Sequence, residues 1–191
     1  YRANLSELGG ELEKLTGYDL IISVGGDGTL LEVCHYVTDT PVLGVNSDPG
    51  VSVGYFSQAN SENFGYVFDN IDNIKRTKIN RLEVLLNNQK LPEQVLNEVL
   101  IAHSSPAAAT RFFLYDNEKY EVFRKSSGIL VCGAGGSTAF MYEENGNILP
   151  FDFDQVMYHV RSNRNEHDIF RITDLLEIES DTRQGKLWID G

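Results

Sequence analysis

Between the apolar stretch Leu20-Ile21-Ile22 and the apolar-periodic run Leu30 to Val37 stands Ser23-Val24-Gly25-Gly26-Asp27-Gly28-Thr29. A buried strand from Leu20 to Val24, a glycine turn and a helix start place unpaired backbone N–H groups at the head of a helix, where an anion is favoured. The glycines carry no Cβ, so backbone can approach a phosphate closely, yet Asp27 puts a carboxylate in the middle of that turn. A negative charge there calls for a bound cation or a hydroxyl to be oriented or deprotonated. The spacing is neither the dinucleotide fingerprint GxGxxG nor a Walker loop, because no Lys-Ser or Lys-Thr follows. Taken alone, the run also suits an ordinary strand-to-helix turn.

The flanking pattern extends this unit. Leu5, Leu8, Leu12 and Leu15 share a helical face that Gly17 terminates, and Val42-Leu43-Gly44-Val45 after Thr40-Pro41 reads as a second buried strand. Strands alternating with helices imply a parallel sheet. Phe64, Val67, Phe68, Ile71 and Ile74 then predict a closing helix, with Asn60 or Ser61 as its cap.

From about Thr77 the period changes to alternation. Leu82, Val84 and Leu86 point one way and Asn87-Asn88 supplies a turn; Leu96 to Ala102 is a further apolar run. Arg111–Tyr115 and Tyr120–Phe123 flank Asp116 to Lys119 as a hairpin, and Ile129 to Cys132 is a buried strand. Residues 143–168 are polar with scattered aromatics and carry no clear period, while Leu175–Ile178 and Leu187–Ile189 predict a last hairpin turning at Gln184-Gly185. The expectation is an α/β N-terminal nucleotide-binding domain over residues 1–76 and a mostly-β, sandwich-like domain over 77–191.

The net charge of −12 argues against a nucleic-acid partner, and no run reaches the ~18 apolar residues a membrane span needs, so neither is expected. Cys34 and Cys132 lack metal-site spacing and read as buried small side chains in a reducing compartment. No protein-held metal site is predicted.

Two further constellations carry chemistry. Asn97-Glu98 interrupts an apolar strand-like run; in a regular strand only one of the two faces the core, and the pair reads equally as a strand end facing solvent. Gly133-Ala134-Gly135-Gly136-Ser137-Thr138-Ala139-Phe140 follows the strand at Ile129, and suits either a ligand-contacting turn or a plain capped helix start.

GGDGT, then LNEV, then SGILV with GGSTAF, then Trp188-Ile189-Asp190-Gly191 together resemble the ATP-NAD kinase family, as do Gly44-Val45-Asn46 and Gly54-Tyr55-Phe56. The resemblance spans about Tyr18 to Gly191. It implies transfer of a phosphoryl group from ATP, with Mg2+, or from polyphosphate, to the adenosine 2'-hydroxyl of NAD. Asp27 then orients or deprotonates that hydroxyl, with Gly26, Gly28 and Thr29 as the phosphate turn. NAD binding is implied for Asn97, Glu98, Thr138, Ala139, Phe140, Tyr55, Phe56, Ser127 and Asp190. Many members read Gly-Asp-Gly where this chain reads Ser126-Ser127-Gly128, so Ser127 takes the place of a carboxylate and the chain is more similar to the divergent, mitochondrial-type branch. The family implies a homodimer or higher homo-oligomer in the cytoplasm, with the mitochondrial matrix as the alternative. The alternatives to NAD phosphorylation are a lipid kinase of the diacylglycerol or sphingoid type, which shares the GGDGT turn, and a catalytically inactive nucleotide-binding relative.

Overall fold

The structure, a computed structural model, describes residues 15, 17–117, 119–162 and 169–191. The expected helix through Leu5, Leu8 and Leu12 lies outside them. The chain divides into two compact units, the first running to Thr77 and the second from Lys78 to Gly191.

In the first unit β1 (Ile21–Gly25), β2 (Val42–Asn46) and β3 (Ser57–Asn60) form a parallel sheet in that order, with α1 (Asp27–His35) between β1 and β2. Leu43, Val45, Ala59 and Val67 make its core. β1 departs from the expected buried strand: Ser23 is buried, but Ile22 and Val24 are exposed. The closing helix is also shorter than its apolar spacing suggests. It splits into α2 (Phe64–Asp69) and a 3-10 turn (Ile71–Asn73), because the Asn70 side chain donates to the Tyr66 carbonyl at 2.8 Å and ends the first piece. Asn60 caps the preceding turn, accepting from the N–H groups of Glu62 and Asn63, while Asn63 occupies the N-cap of α2.

The second unit is nearly all strand. After the small hairpin β4 (Leu85–Leu86) and β5 (Gln89–Lys90) come β6 (Glu98–His103), β7 (Thr110–Asp116), β8 (Lys119–Ser126) and β9 (Gly128–Cys132). A short helix α3 (Phe140–Glu143) precedes β10 (Val156–Arg161), β11 (Ile169–Thr173), β12 (Leu176–Ser180) and β13 (Gly185–Ile189). Asn87 and Asn88 both take positive φ, 50° and 63°, as the expected two-residue hairpin turn requires.

Two antiparallel sheets result, β11-β10-β9-β6-β13 and β12-β7-β8. Phe112, Leu114 and Phe123 from the smaller sheet meet Ile129, Val131, Tyr158 and Val160 from the larger, which makes the expected sandwich. The alternate residues of the larger sheet, Leu130, Cys132 and Met157, face the other way and pack with Ala134, Met141 and Leu149. β9 is therefore buried on both faces, which explains its continuous apolar run.

The expected last hairpin does not form. β12 pairs with β7 and β13 with β6, in different sheets. Thr182 makes the crossing: its hydroxyl donates to the Arg111 carbonyl at 2.8 Å and accepts from the Arg111 N–H at 2.9 Å, tying the link to β7 instead of closing a turn. β10, from the segment without a clear period, is a central strand whose Met157, Tyr158, His159 and Val160 are all buried.

One polar network crosses this core. The fully buried Tyr158 hydroxyl donates to Asp116 Oδ2 at 2.7 Å, and Arg171 donates to Tyr158 and pairs with Glu121 at 2.6 Å. Burial, followed by the Asp116 bond, pushes the Tyr158 phenol above its usual range. Tyr158→Phe leaves a buried Asp116 oxygen without this donor and is expected to cost about 1–3 kcal/mol. Equilibrium urea unfolding followed by circular dichroism measures it, and an unchanged midpoint would show that the bond contributes nothing.

Candidate functional site

In the first unit the glycine turn is built as the sequence suggests. Gly26 is the N-cap of α1, and the first intrahelical bond runs from Leu30 N–H to the Gly26 carbonyl, so the N–H groups of Asp27, Gly28 and Thr29 precede the ladder. A Cβ on Gly26 would stand 2.8 Å from Ser52 Oγ, and one on Gly25 would overlap the Thr29 side chain. Gly28 is exposed and has open space around it.

Asp27 is fixed from a distance. Its Oδ2 accepts from Tyr55 N–H at 2.9 Å and its Oδ1 from Phe56 N–H at 3.1 Å. A carboxylate has about four lone-pair positions, so both oxygens keep capacity for another partner. The loop that leads to the two donors is braced by Asn46 at the end of β2. This buried side chain donates to the Ser52 carbonyl at 2.8 Å, and accepts from Asp48 N–H at 3.1 Å. Gly54 takes φ +64° against Asn46, where a Cβ would meet the amide, so only glycine lets the chain turn there into Tyr55-Phe56. The two rings sit edge to face, 5.6 Å apart. Asn46 was not among the expected site residues, although its place in Gly-Val-Asn after a strand was visible.

In the second unit both Asn97 and Glu98 are buried, against the one-in, one-out pattern of a regular strand, because Asn97 precedes β6 and Glu98 begins it. Asp190, just past β13, makes this possible. Its Oδ1 accepts from Asn97 N–H at 2.7 Å and Glu98 N–H at 3.2 Å, its Oδ2 from Leu96 N–H at 3.0 Å, and its own N–H donates to the Glu98 carbonyl at 3.0 Å. Among the described residues, Asn97 Oδ1 and Glu98 Oε2 are buried with no hydrogen-bond partner. Such atoms are expensive in a finished core and ordinary in a binding site.

The second glycine turn lies against this pair. A Cβ on Gly135 would stand 2.5 Å from the Leu96 carbonyl, and one on Gly136 would overlap the Asn97 carbonyl. These glycines serve backbone approach to the Asn-Glu segment. The hydroxyls are used inside the turn as well: Ser137 donates to the Ala134 carbonyl and accepts from Leu149 N–H, and Thr138 donates to the Gly135 carbonyl at 2.9 Å. Ala139 N–H bonds to the Gly136 carbonyl and leads into Phe140 on α3.

Glu98, Leu100, Phe140, Trp188 and Gly191 line an open recess of about 140 Å³. Burial, then the neighbouring carboxylates Asp190 and Glu143, raises the Glu98 carboxyl from its usual 4.5 to about 7. Burial, and then Glu98, pushes the Cys132 thiol up to about 12, which keeps it protonated.

Asn97, Glu98, Asp190, Thr138, Ala139 and Phe140 thus come together in the second unit, and Asp27, Gly26, Gly28, Thr29, Tyr55 and Phe56 in the first. Ser127 does not join the recess. It is exposed at the turn into β9, at the opposite end of that strand from Cys132, the partner of Glu98, which is roughly 16 Å away at ~3.3 Å per residue. Among the described residues no group of three His, Cys, Asp or Glu side chains has the arrangement of a metal site, and no helix is long and apolar enough to cross a membrane.

Residues 8–76 match the family described as the ATP-NAD kinase N-terminal domain. The chain is 34% identical over 166 residues to a probable NADH kinase of Oryza sativa subsp. japonica, covering 75% of this chain and 51% of the relative. It is 33% identical over 204 residues to an NADH kinase of Arabidopsis thaliana, covering 91% of this chain and 64% of the relative. The chain therefore spans between half and two thirds of these plant proteins, whose names fit the divergent branch. Two crystal structures share the fold at 19% identity over 91% of this chain. An NAD kinase from Archaeoglobus fulgidus in complex with ATP matches with a TM-score of 0.78 over 69% of its own chain, and yeast NADH kinase complexed with NADH with 0.74 over 54%.

The raised Glu98 carboxyl has a consequence for stability. Its folded value lies above the unfolded one, so its contribution is full below pH 4.5 and lost as pH rises through about 7. Glu98→Gln is expected to flatten this loss, gaining on the order of 1–2 kcal/mol over wild type at pH 8, where water at the recess screens part of the charge, and little at pH 4.5. Thermal unfolding of both proteins across that range checks it; parallel pH curves would refute the ionisation cost.

Proposed function

The chain belongs to the ATP-NAD kinase family, and on that premise we propose that it transfers the γ-phosphate of ATP to the adenosine 2'-hydroxyl of NAD, giving NADP. The observation that carries this reading is Asp27, a carboxylate at the head of α1 whose two oxygens are each held by a backbone N–H and keep capacity for a hydroxyl proton. Phosphoryl transfer asks mainly for positioning and charge neutralisation. In this reading Asp27 accepts the proton of the 2'-hydroxyl as its oxygen bonds to phosphorus and the bond to the departing ADP oxygen breaks. Gly26, Gly28 and Thr29 present N–H groups to phosphate.

Asn97 Oδ1 and Glu98 Oε2 are the buried acceptors offered to the ribose hydroxyls and base edge, and Phe140 and Trp188 supply aromatic walls. Asp190 acts through the backbone of the Asn-Glu segment, while Tyr55 and Phe56 set Asp27 and flank it. Residues 1–76 form the nucleotide-binding domain and 77–191 the β-rich NAD-binding domain in this scheme.

The residues fit Mg2+ carried on the phosphates of ATP: Asp27 has lone pairs to spare, and no three-residue cage for the ion exists among the described residues. Bound there, the ion neutralises phosphate charge. The names of the two plant relatives favour NADH as a second acceptor. They disfavour a lipid acceptor. The assembly we propose is a homo-oligomer, with a dimer the simplest closed form.

Asp27→Asn keeps the size of the side chain and removes the base, together with one of the two acceptors for the Tyr55 and Phe56 N–H groups. It is expected to lower kcat at least ~100-fold while leaving the fold and most NAD binding in place. NADP formed from NAD, ATP and Mg2+ is the readout. Wild-type turnover in the variant would remove Asp27 from the chemistry, and NAD binding without turnover in the unaltered protein would point to an inactive relative.

A further inference from the structure

Phe140 forms one wall of the recess, yet α3, which carries it, is only four residues long. A helix of one turn has little stability of its own, so the direction of this ring depends on what packs behind it. Behind it lies Arg161, the last residue of β10, with its guanidinium carbon 4.9 Å from the ring centroid.

Arg161 is itself anchored. Its Nε donates to Glu144 Oε1 at 2.9 Å, and its Nη2 approaches the same oxygen at 2.8 Å. Glu144 Oε2 lies 3.5 Å from Nε2 of the buried His159, whose ring stacks on Phe170 at 4.2 Å with the planes only 7° apart. A continuous series therefore runs from the sheet core through His159, Glu144 and Arg161 to the wall of the recess. None of these three polar residues belongs to the sequence motifs, and none lines the recess.

We propose that Arg161, anchored by Glu144, is a positioning residue that fixes Phe140 as the stacking surface for the purine base of the ligand. This rests on the kinase reading for the identity of that base. The cation draws the π-electron density of the ring toward its own side. The opposite face is left less negative and stacks better on an electron-rich purine. Arg161 touches no ligand in this scheme and acts through the ring alone.

The test uses the full chain with Arg161→Met, Arg161→Lys, Glu144→Gln, Phe140→Ala and the double variant Phe140→Ala/Arg161→Met, each checked for folding by circular dichroism. Arg161→Met is expected to raise Kd for AMP, and KM for NAD, by ~5-fold to 10-fold, with a much smaller change in kcat. Arg161→Lys should restore most of the loss, Glu144→Gln should fall between, and the double variant should bind no worse than Phe140→Ala alone. A fluorine placed on the ring of residue 140 should also shift its resonance in Arg161→Met without ligand. An unmoved resonance, an unchanged Kd for AMP, or additive losses in the double variant would each overturn the proposal. Should Arg161→Met not fold, the Lys and Gln variants carry the same comparisons. AMP binding that follows this pattern in a protein making no NADP would refute the kinase reading and support this one; failure to bind either nucleotide would overturn both.

Discussion

Two carboxylates, each reaching far along the chain to take backbone N–H groups, hold the candidate sites in shape. Asp27 in the first unit binds the amides of Tyr55 and Phe56, and Asp190 in the second binds those of Leu96, Asn97 and Glu98. Hydrogen bonds to a charged acceptor are each worth about 1.5–3 kcal/mol, more than neutral ones, and they are made here where the backbone has left regular structure. The loop after β2 and the approach to β6 would otherwise bring unpaired donors to the edge of a sheet. In both units the irregular backbone carries the residues with chemistry, and an acidic side chain substitutes for the missing ladder.

The same device explains why Glu98 tolerates its surroundings. Its carboxyl is buried beside Asp190, whose charge is already engaged by three amides. Taking the charged form out of water is costly, and a second negative charge beside Asp190 adds to that cost, so the proton is retained to about pH 7. The position thus disfavours folding energy at neutral pH and favours an acceptor or donor that a ligand can engage, a trade common at functional sites.

Local chemistry was legible from the residues and long-range pairing was not. The glycine turn at the head of α1, the Asn87-Asn88 hairpin and the doubly buried β9 all follow from a few adjacent side chains. The partners of β12 and β13 do not, since both alternate in the same way and nothing in their residues says which sheet each joins. β10 was missed for a related reason: Tyr158 and His159 look polar in sequence, and partners from elsewhere in the chain, Asp116 and Arg171 for the first and Glu144 and Phe170 for the second, accompany them into the core. For the site, the residue types in Asn97-Glu98 and Gly133 to Phe140 marked the right segments, but not the role of Asp190, whose partners lie about ninety residues upstream. Asn46 stood in a segment that carries the resemblance, but its bracing role shows only in its contacts with Ser52 and Gly54.

The glycines differ in what the chain's own packing demands of them. Gly135 and Gly136 are crowded by the carbonyls of Leu96 and Asn97, and Gly54 combines a positive φ with contact against Asn46, so the protein's own packing demands each of them. Gly28 differs: a Cβ there would meet nothing within 4 Å, and its φ lies outside the positive range. Within a helix glycine costs about 1 kcal/mol relative to alanine, and here no contact of the chain returns that cost. Gly65, the second residue of α2, has the same open surroundings, so open space alone does not mark a ligand site, and at Gly28 the case rests on the neighbouring Asp27. Both turns hold three glycines within four residues, and they differ in what crowds them: side chains of Thr29 and Ser52 in the first, backbone carbonyls of Leu96 and Asn97 in the second.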